Sequence, residues 1–428
     1  MTLTITFLGC KKESSSSLID GTIVVSTIAA TNITSVSVKS GVIITNSNNN
    51  IIISSGLCWS TSPSPNLLNL HTTDTISNGT FAKKITNLIP ATTYYIRAYV
   101  RTISDTLYGN EISITTPNQH IYICGSEIIG SKHIAKLWKN GISSSLSNGL
   151  QNASAESVFV LGNDVYVAGY ESNGTHNVAK FWKNGVATNL TNGNNDAVAY
   201  SIVVSNNVVY IAGYESNGNK KIAKIWVNGI ATNLTNGTYD AVVRSIVLAN
   251  NKIYACGFES DGMQGNQAKI WTNGVPNNMT NGLYTSEAIS IFVSGTDVYV
   301  TGFLAPSYAN DYVILWKNGQ EMQIDQGSFF FGLGKSVFVE DNDVHLVGST
   351  DDKGASWWKN GRAMALTSNS LSRANAIQVV GGTAYIAGTK FANDVVNGND
   401  VAAYWVDNLL VTLPHTGIYS YANSIFVQ

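Results

Sequence analysis

Four glutamates recur at one point of a repeated pattern, Glu127, Glu171, Glu215 and Glu259, and each is followed nine or ten residues later by Lys136, Lys180, Lys224 or Lys269. Carboxylates at regular intervals could form a ring for acid–base chemistry. The lysines argue for a quieter role. Nine or ten residues across one hairpin set each Glu and Lys opposite one another, as cross-strand ion pairs. Exposed pairs of that kind contribute at most about 1 kcal/mol. The six histidines are scattered, and no His-Glu-x-x-His run, Gly-x-Ser-x-Gly elbow or phosphate loop occurs. Neither a metal site nor a cofactor is expected.

A second position is more informative. A Ser-apolar-x-Val run recurs at Ser157–Val160, Ser201–Val204, Ser290–Val293 and Ser336–Val339. The residue just before the serine position varies while its neighbours repeat: Glu156, Tyr200, Arg244, Ile289, Lys335, Asn375 and Asn423. Variation on a constant frame is where specificity can reside. Glu156, Tyr200, Arg244, Lys335, Asn375 and Asn423 are therefore expected to line a binding mouth, in the loops leading into an innermost strand and beside the loops between second and third strands. Those latter loops change character in the last three units, where Ala305–Asp311, Asp351–Lys353 and Phe391–Asp400 are longer or more acidic. The alternative for both features is drift in solvent-exposed segments.

The elements that must hold these residues follow from the repeat. Trp138, Trp182, Trp226, Trp271, Trp316, Trp358 and Trp405 are spaced by 44, 44, 45, 45, 42 and 47 residues. Six are followed two residues later by Asn-Gly and the seventh by Asp407-Asn408. Asn-Gly supplies the positive φ angles of a type I′ turn, so each Trp strand should fold back at once into another strand. Ahead of each Trp lies an aromatic-apolar-x-Gly strand or its variant, as in Tyr166–Gly169 and His345–Gly348, and ahead of that the Ser-containing strand. Four short strands per unit, apolar on both faces, fit sheets stacked around an axis. The array starts at a second strand, His120–Gly125, and the chain stops at a first strand, Asn423–Gln428, so one can complete the other and leave no open sheet edge.

With their Tyr-x-Ala-Gly and Trp-Lys-Asn-Gly signatures, residues 119–428 resemble secreted bacterial propellers of the broad kind that includes kelch folds. They lack the Trp-Asp dipeptide of the WD40 group. The resemblance implies a seven-bladed β-propeller closed by the C-terminal strand. Sialidases of this architecture carry a repeated Asp-box and an arginine cluster. Here Ser349–Trp357 is one residue too long for that box and occurs once, and the propeller holds only Arg244, Arg362 and Arg373.

Residues 21–117 alternate in β fashion at Ile23–Ser26, Ser35–Lys39, Val42–Thr45 and Tyr94–Arg101, joined by Asn, Ser and Gly turns. About seven short strands in about a hundred residues fit a β-sandwich. Leu88-Ile-Pro90-Ala-Thr92-Thr-Tyr94 resembles the fibronectin type III approach to its penultimate strand, where a tyrosine closes a corner. Gly56-Leu-Cys58-Trp59 and Leu107-Tyr108-Gly109 resemble the variant found in Bacteroidetes surface proteins. Trp59 is expected in the core. Asp74-Thr75-Ile76 and Asp105-Thr106-Leu107 resemble the O-glycosylation acceptors of that group, with Thr75 and Thr106 as the modified residues.

Residues 1–20 hold a short apolar stretch, Gly9-Cys10-Lys-Lys-Glu13 and a Ser-rich tether. This resembles a bacterial lipoprotein signal, which implies lipid on Cys10 and, from the polar residues after it, display on the outer surface of a Gram-negative cell. Cys124 and Cys256 fall where other units carry Ala168, Ala212 and Ala387, so they are expected as small buried side chains and not as a disulfide framework. Charged residues make up 12% of the chain and the formal net charge is -2, which provides no basic field for nucleic acid. The expectation is an all-β, exported, lipid-anchored protein that binds a glycan, peptide or protein partner without turning it over. The rivals are a propeller enzyme acting on polysaccharide as a hydrolase or lyase, and a structural component of a surface complex.

Overall fold

In the computed structural model the described residues are 23–47, 50–76, 78–262, 265–307, 310–322, 324, 331–351, 354–366, 372–391 and 399–428. They are all-β, without a helix. The chain divides into two compact units between Pro117 and Asn118.

The first unit has seven strands: β1 (Ile23–Thr31), β2 (Val38–Asn46), β3 (Ile52–Ser60), β4 (Leu70–His71), β5 (Gly79–Ile85), β6 (Thr93–Thr102) and β7 (Thr106–Thr115). They form two sheets, ordered β1-β2-β5 and β4-β3-β6-β7. Alternation along β2 buries Val38, Val42 and Ile44 against Leu57, Ile85 and Ile96. Most of the two runs expected at Ser35–Lys39 and Val42–Thr45 falls in this single strand. Gly41, which looks like a turn, is there for close approach, since a Cβ would stand 2.4 Å from the Phe81 carbonyl oxygen. Trp59 packs part-buried on this core. The Ile89 amide donates to the Tyr94 hydroxyl at 3.0 Å and pins the bend before β6.

In the second unit the described residues form seven four-stranded antiparallel sheets, each named here by the tryptophan on its third strand. In the Trp182 sheet the strands run inner to outer as Ala153–Leu161, Asp164–Ser172, Asn177–Lys183 and Val186–Asn189. The expected two-residue turns are present. Asn184 and Gly185 take φ of 51° and 82° and join Lys183 to its partner Val186. The same pair of positive φ angles recurs at Asn140-Gly141, Asn228-Gly229 and Asn273-Gly274.

Each of these seven tryptophans is at most 2% exposed and packs on compact side chains of the preceding sheet. Trp182 meets Cys124 and Ala135; Trp226 meets Ala168 and Ala179; Trp271 meets Ala212 and Ala223. Trp316 meets Cys256 and Ala268, Trp358 meets Val313, Trp405 meets Val347 and Ala355, and Trp138 meets Ala387 and Ala402. The series returns to its start. An indole needs a compact residue opposite it, which is why Ala or Cys occupies most of these positions and Val the remainder. Truncating one of these indoles to Ala costs about 3–5 kcal/mol in a well-packed core. Cys58, Cys124 and Cys256 are all free and buried.

The Trp138 sheet joins the two ends of the unit. The strand Tyr419–Val427 pairs with Ile121–Ile129 from Tyr419↔Ile128 to Val427↔Ile121. His120 and Gln428 exchange both backbone hydrogen bonds, at 2.9 and 3.0 Å. Glu127 adds a side-chain clamp. It is 1% exposed, pairs with Lys136 at 2.8 Å and accepts from the Thr416 and Gly417 amides just before the last strand. Burial alone would raise its carboxyl pKa, but the Lys136 hydrogen bond and the two amides hold it below the usual carboxylate range.

Deleting Asn423–Gln428 is expected to leave the protein insoluble or to lower Tm by more than about 10 °C, measured by thermal unfolding of the soluble fraction. An unchanged melt would contradict a load shared between the chain ends.

Candidate functional site

Every inner strand carries an irregularity at the same point. Its register shifts between Ala155 and Ser157, and likewise at Ala199/Ser201, Val243/Ser245, Ala288/Ser290, Gly334/Ser336, Ala374/Ala376 and Ala422/Ser424. The residue skipped each time is the variable one: Glu156, Tyr200, Arg244, Ile289, Lys335, Asn375 or Asn423. A bulged residue has no partner across the ladder, and the local twist re-aims its side chain. These residues thus lie inside strands, not in the loops leading into them. A loop assignment follows naturally from their variability, because a bulge leaves no turn residue in the sequence to announce it.

The bulge also explains the glycine of the Tyr-x-Ala-Gly strand. A Cβ on Gly125, Gly169, Gly213, Gly257, Gly302, Gly348 or Gly388 would fall 1.8 to 2.0 Å from an inner-strand carbonyl oxygen next to the bulge. Glycine is the only residue that lets the two backbones approach so closely.

All seven bulge residues line one pocket of about 470 Å³. Arg244 is the best anchored. It pairs with Glu287 at 3.2 Å and lies over the Tyr200 and Phe258 rings at 4.9 and 5.7 Å. Asn266 holds the other Glu287 oxygen at 2.8 Å. Asn423 donates to the Ala155 carbonyl at 3.0 Å and approaches Glu156 at 3.4 Å, and Asn375 donates to the Ala422 carbonyl at 2.8 Å. Burial raises the Glu156 carboxyl above the usual range, against the pull of a Ser154 hydrogen bond and of Arg244 and Lys335. Lys335 is shifted the other way, lowered by burial and by the charges of Arg244 and Arg373.

Below the bulges runs a ring of serines. The hydroxyl oxygen of Ser157 accepts the Ile202 amide of the next sheet at 3.3 Å, and Ser201, Ser245, Ser290 and Ser336 accept Ile246, Ile291, Val337 and Ile377 at 3.2 to 3.4 Å. Ser424 accepts Val158 at 3.3 Å. Inner-strand amides that face the axis have no strand beyond them, and a neighbour's hydroxyl satisfies them instead. Ala376 interrupts the series. There Gln378 and Val427 exchange two hydrogen bonds, at 2.8 and 3.0 Å.

Glu287, Phe303 and Leu333 also line the pocket and are not singled out by the variable position. Glu287 and Leu333 stand two residues before a bulge, so the two-residue period of the strand would have found them. The repeated glutamates behave as cross-strand partners. Lys180–Glu171 and Lys224–Glu215 are 2.5 Å apart and Lys269 pairs with Glu259. The geometry is diagonal: Lys180 stands opposite Gly169, and the missing side chain gives its chain room to reach Glu171. Thr75 is exposed, whereas Thr106 is half-buried at the start of β7, its amide bonded to the Asp105 carboxylate. Cys10 lies outside the described residues, as do residues 308–309, 352–353 and 392–398 of the longer loops.

No family model matches the sequence, and no curated protein matches it. Among solved structures, it is similar to TolB from Acinetobacter baumannii, with 9% identity over 64% of this chain and 78% of that one, at a TM-score of 0.36. It is also similar to an acylaminoacyl peptidase from Pyrococcus horikoshii, with 9% identity over 94% and 64% of the two chains, at a TM-score of 0.37. A DUF4784 family protein from Bacteroides caccae gives 10% identity over 94% and 98%, at a TM-score of 0.30. At these identities and scores none bears on activity. The strands and the pocket define the class: a propeller-like all-β protein with a polar axial pocket.

Gly213→Ala should drive a methyl into the Val198 carbonyl and lower stability by about 1–3 kcal/mol, read as a reduced urea midpoint. A neutral substitution would mean that the bulge does not require the glycine.

Proposed function

We propose that the second unit is a seven-bladed β-propeller that binds a small polar ligand or an extended partner's side chain at its axial mouth, without catalysis. The observation that carries this is the convergence of all seven bulge residues on one pocket. A frame that repeats while its aimed residues differ is built to recognise an asymmetric ligand. A pocket of about 470 Å³ is within the usual range for a bound small molecule. Polysaccharide hydrolysis, one form of the rival, would need two carboxylates free to act as acid and base. Glu287 is committed to Arg244 and Asn266, which leaves Glu156 alone among the pocket carboxylates.

The first unit is a fibronectin type III-like spacer in this reading, supported by its β1-β2-β5 and β4-β3-β6-β7 sheets and the Tyr94 corner. Lipid on Cys10, display on the outer surface and O-glycosylation at Thr75 and Thr106 complete the proposal and rest on the sequence motifs.

The test is a glycan array and a peptide library probed with the full chain and with Ile289→Trp, which fills the pocket. Ligands bound by the wild type, lost with Ile289→Trp and recovered unaltered would support binding at the mouth. Cleaved products, or binding indifferent to Ile289→Trp, would overturn it.

A further inference from the structure

The pocket holds more hydrogen-bond donors than acceptors. A serine hydroxyl has one hydrogen to donate besides its lone pairs. Ser157, Ser201, Ser245, Ser290, Ser336 and Ser424 each spend acceptor capacity on the amide of the next sheet. None of the six hydroxyls has a second partner among the described residues, and all six line the pocket. Their hydrogens are therefore available to whatever enters it. Serving as inter-sheet acceptors also fixes each oxygen in place, so the donors are preorganised.

Charge points the same way. Arg244 is neutralised by Glu287, which Asn266 holds in position. Lys335, on the inner strand Gly332–Glu340, has no ion-pair or hydrogen-bond partner among the described residues and aims into the same space. Arg373 adds a third positive charge close enough to act on it. Glu156 is the one pocket carboxylate without a cationic partner within ion-pair distance, and the Asn423 amide already approaches it. Glu287 and Glu156 act on Lys335 only from beyond ion-pair distance, and an ammonium without a direct partner beside a ring of hydroxyl donors is a site for an anion that also carries many acceptor oxygens.

We propose that the axial pocket takes a carboxylate-bearing polyol, the chemistry of an acidic sugar, with its carboxylate on Lys335 and its ring oxygens over the serine hydroxyls. Phe303, Leu333 and Ile289 supply apolar lining for the less polar side of a sugar ring. Glu156 and Asn375 remain to read individual hydroxyl groups. This rests on the reading of the axial pocket as the binding site and narrows it to one ligand class.

The two halves of the claim separate with three probes, titrated into the full chain by calorimetry or ligand-observed NMR. D-glucuronate has both carboxylate and hydroxyls, glutarate has carboxylate alone, and D-glucose has hydroxyls alone. The proposal expects D-glucuronate to bind at least about ten-fold more tightly than either of the others. Lys335→Met should reduce its affinity to the level of D-glucose, about ten-fold or more for a charged hydrogen bond, whereas Lys335→Arg should retain most of it. Circular dichroism and the thermal melt check that Lys335→Met is folded; if it is not, Lys335→Gln takes its place.

Equal binding of D-glucose and D-glucuronate, or affinity unchanged in Lys335→Met, would overturn the anion assignment. Glutarate as tight as D-glucuronate would overturn the polyol half. If no probe binds while an Ile289→Trp-sensitive ligand emerges from the library, the acidic-sugar proposal fails and the binding mouth stands. If no such ligand emerges either, both fail.

Discussion

The packing of each tryptophan on the small residues of the sheet before it is the constraint from which the rest follows. A four-stranded sheet with apolar residues on both faces must be covered twice, and the repeat can do this only by stacking on copies of itself. Trp182 on Cys124 and Ala135 is one such contact, and Trp138 on Ala387 and Ala402 returns the series to its beginning. Once the stack is circular, the inner strands converge, each touching the next, with Tyr419–Val427 beside both Arg373–Val380 and Ala153–Leu161. The inner three strands of each sheet are thereby covered, while outer strands such as Val186–Asn189 stay exposed.

Convergence creates a difficulty at the axis and a site in the same place. Inner strands have a partner on one side only, so amides such as those of Ile202 and Ile246 point at empty space. The serine ring meets that need with hydroxyl oxygens from the neighbouring sheet. The bulge beside each serine turns one further residue inward, and the glycine on the second strand makes room for the displaced carbonyl. The recurrent part of each unit therefore builds the structure, and the single residue that the bulge releases lines the pocket. The same device gives a pocket whose donors are fixed and whose charges are free to differ from sheet to sheet.

Much of this was legible in the residue pattern. The tryptophan spacing and the Asn-Gly pairs specify the number of hairpins because a type I′ turn has few acceptable sequences. The variable residues before the serines were also visible, and they do meet at one pocket. Their position in the chain was not. A bulge differs from a loop by a register shift of one residue, which composition does not record, so Glu156 and Arg244 looked like loop residues. Glu287 escaped notice because the equivalent residues of the two flanking sheets, Val242 and Leu333, are apolar. The ladder of β2 likewise runs through Gly41, where Gly stands for proximity and not for a turn. The diagonal reach of Lys180 to Glu171 depends on the absent side chain of Gly169, a relation between strands that no linear spacing displays.

Closure of the ring by the last strand is what holds the inner strands, the bulges and the pocket in one place. Hydrogen–deuterium exchange of the intact protein, followed by mass spectrometry of peptides covering Tyr419–Val427, tests it directly. Amides of this strand should be protected to the same degree as those of the inner strand Ala197–Ser205, since both lie in four-stranded sheets. Exchange of Tyr419–Val427 at the rate of an unpaired chain, while Ala197–Ser205 stays protected, would contradict a closed ring.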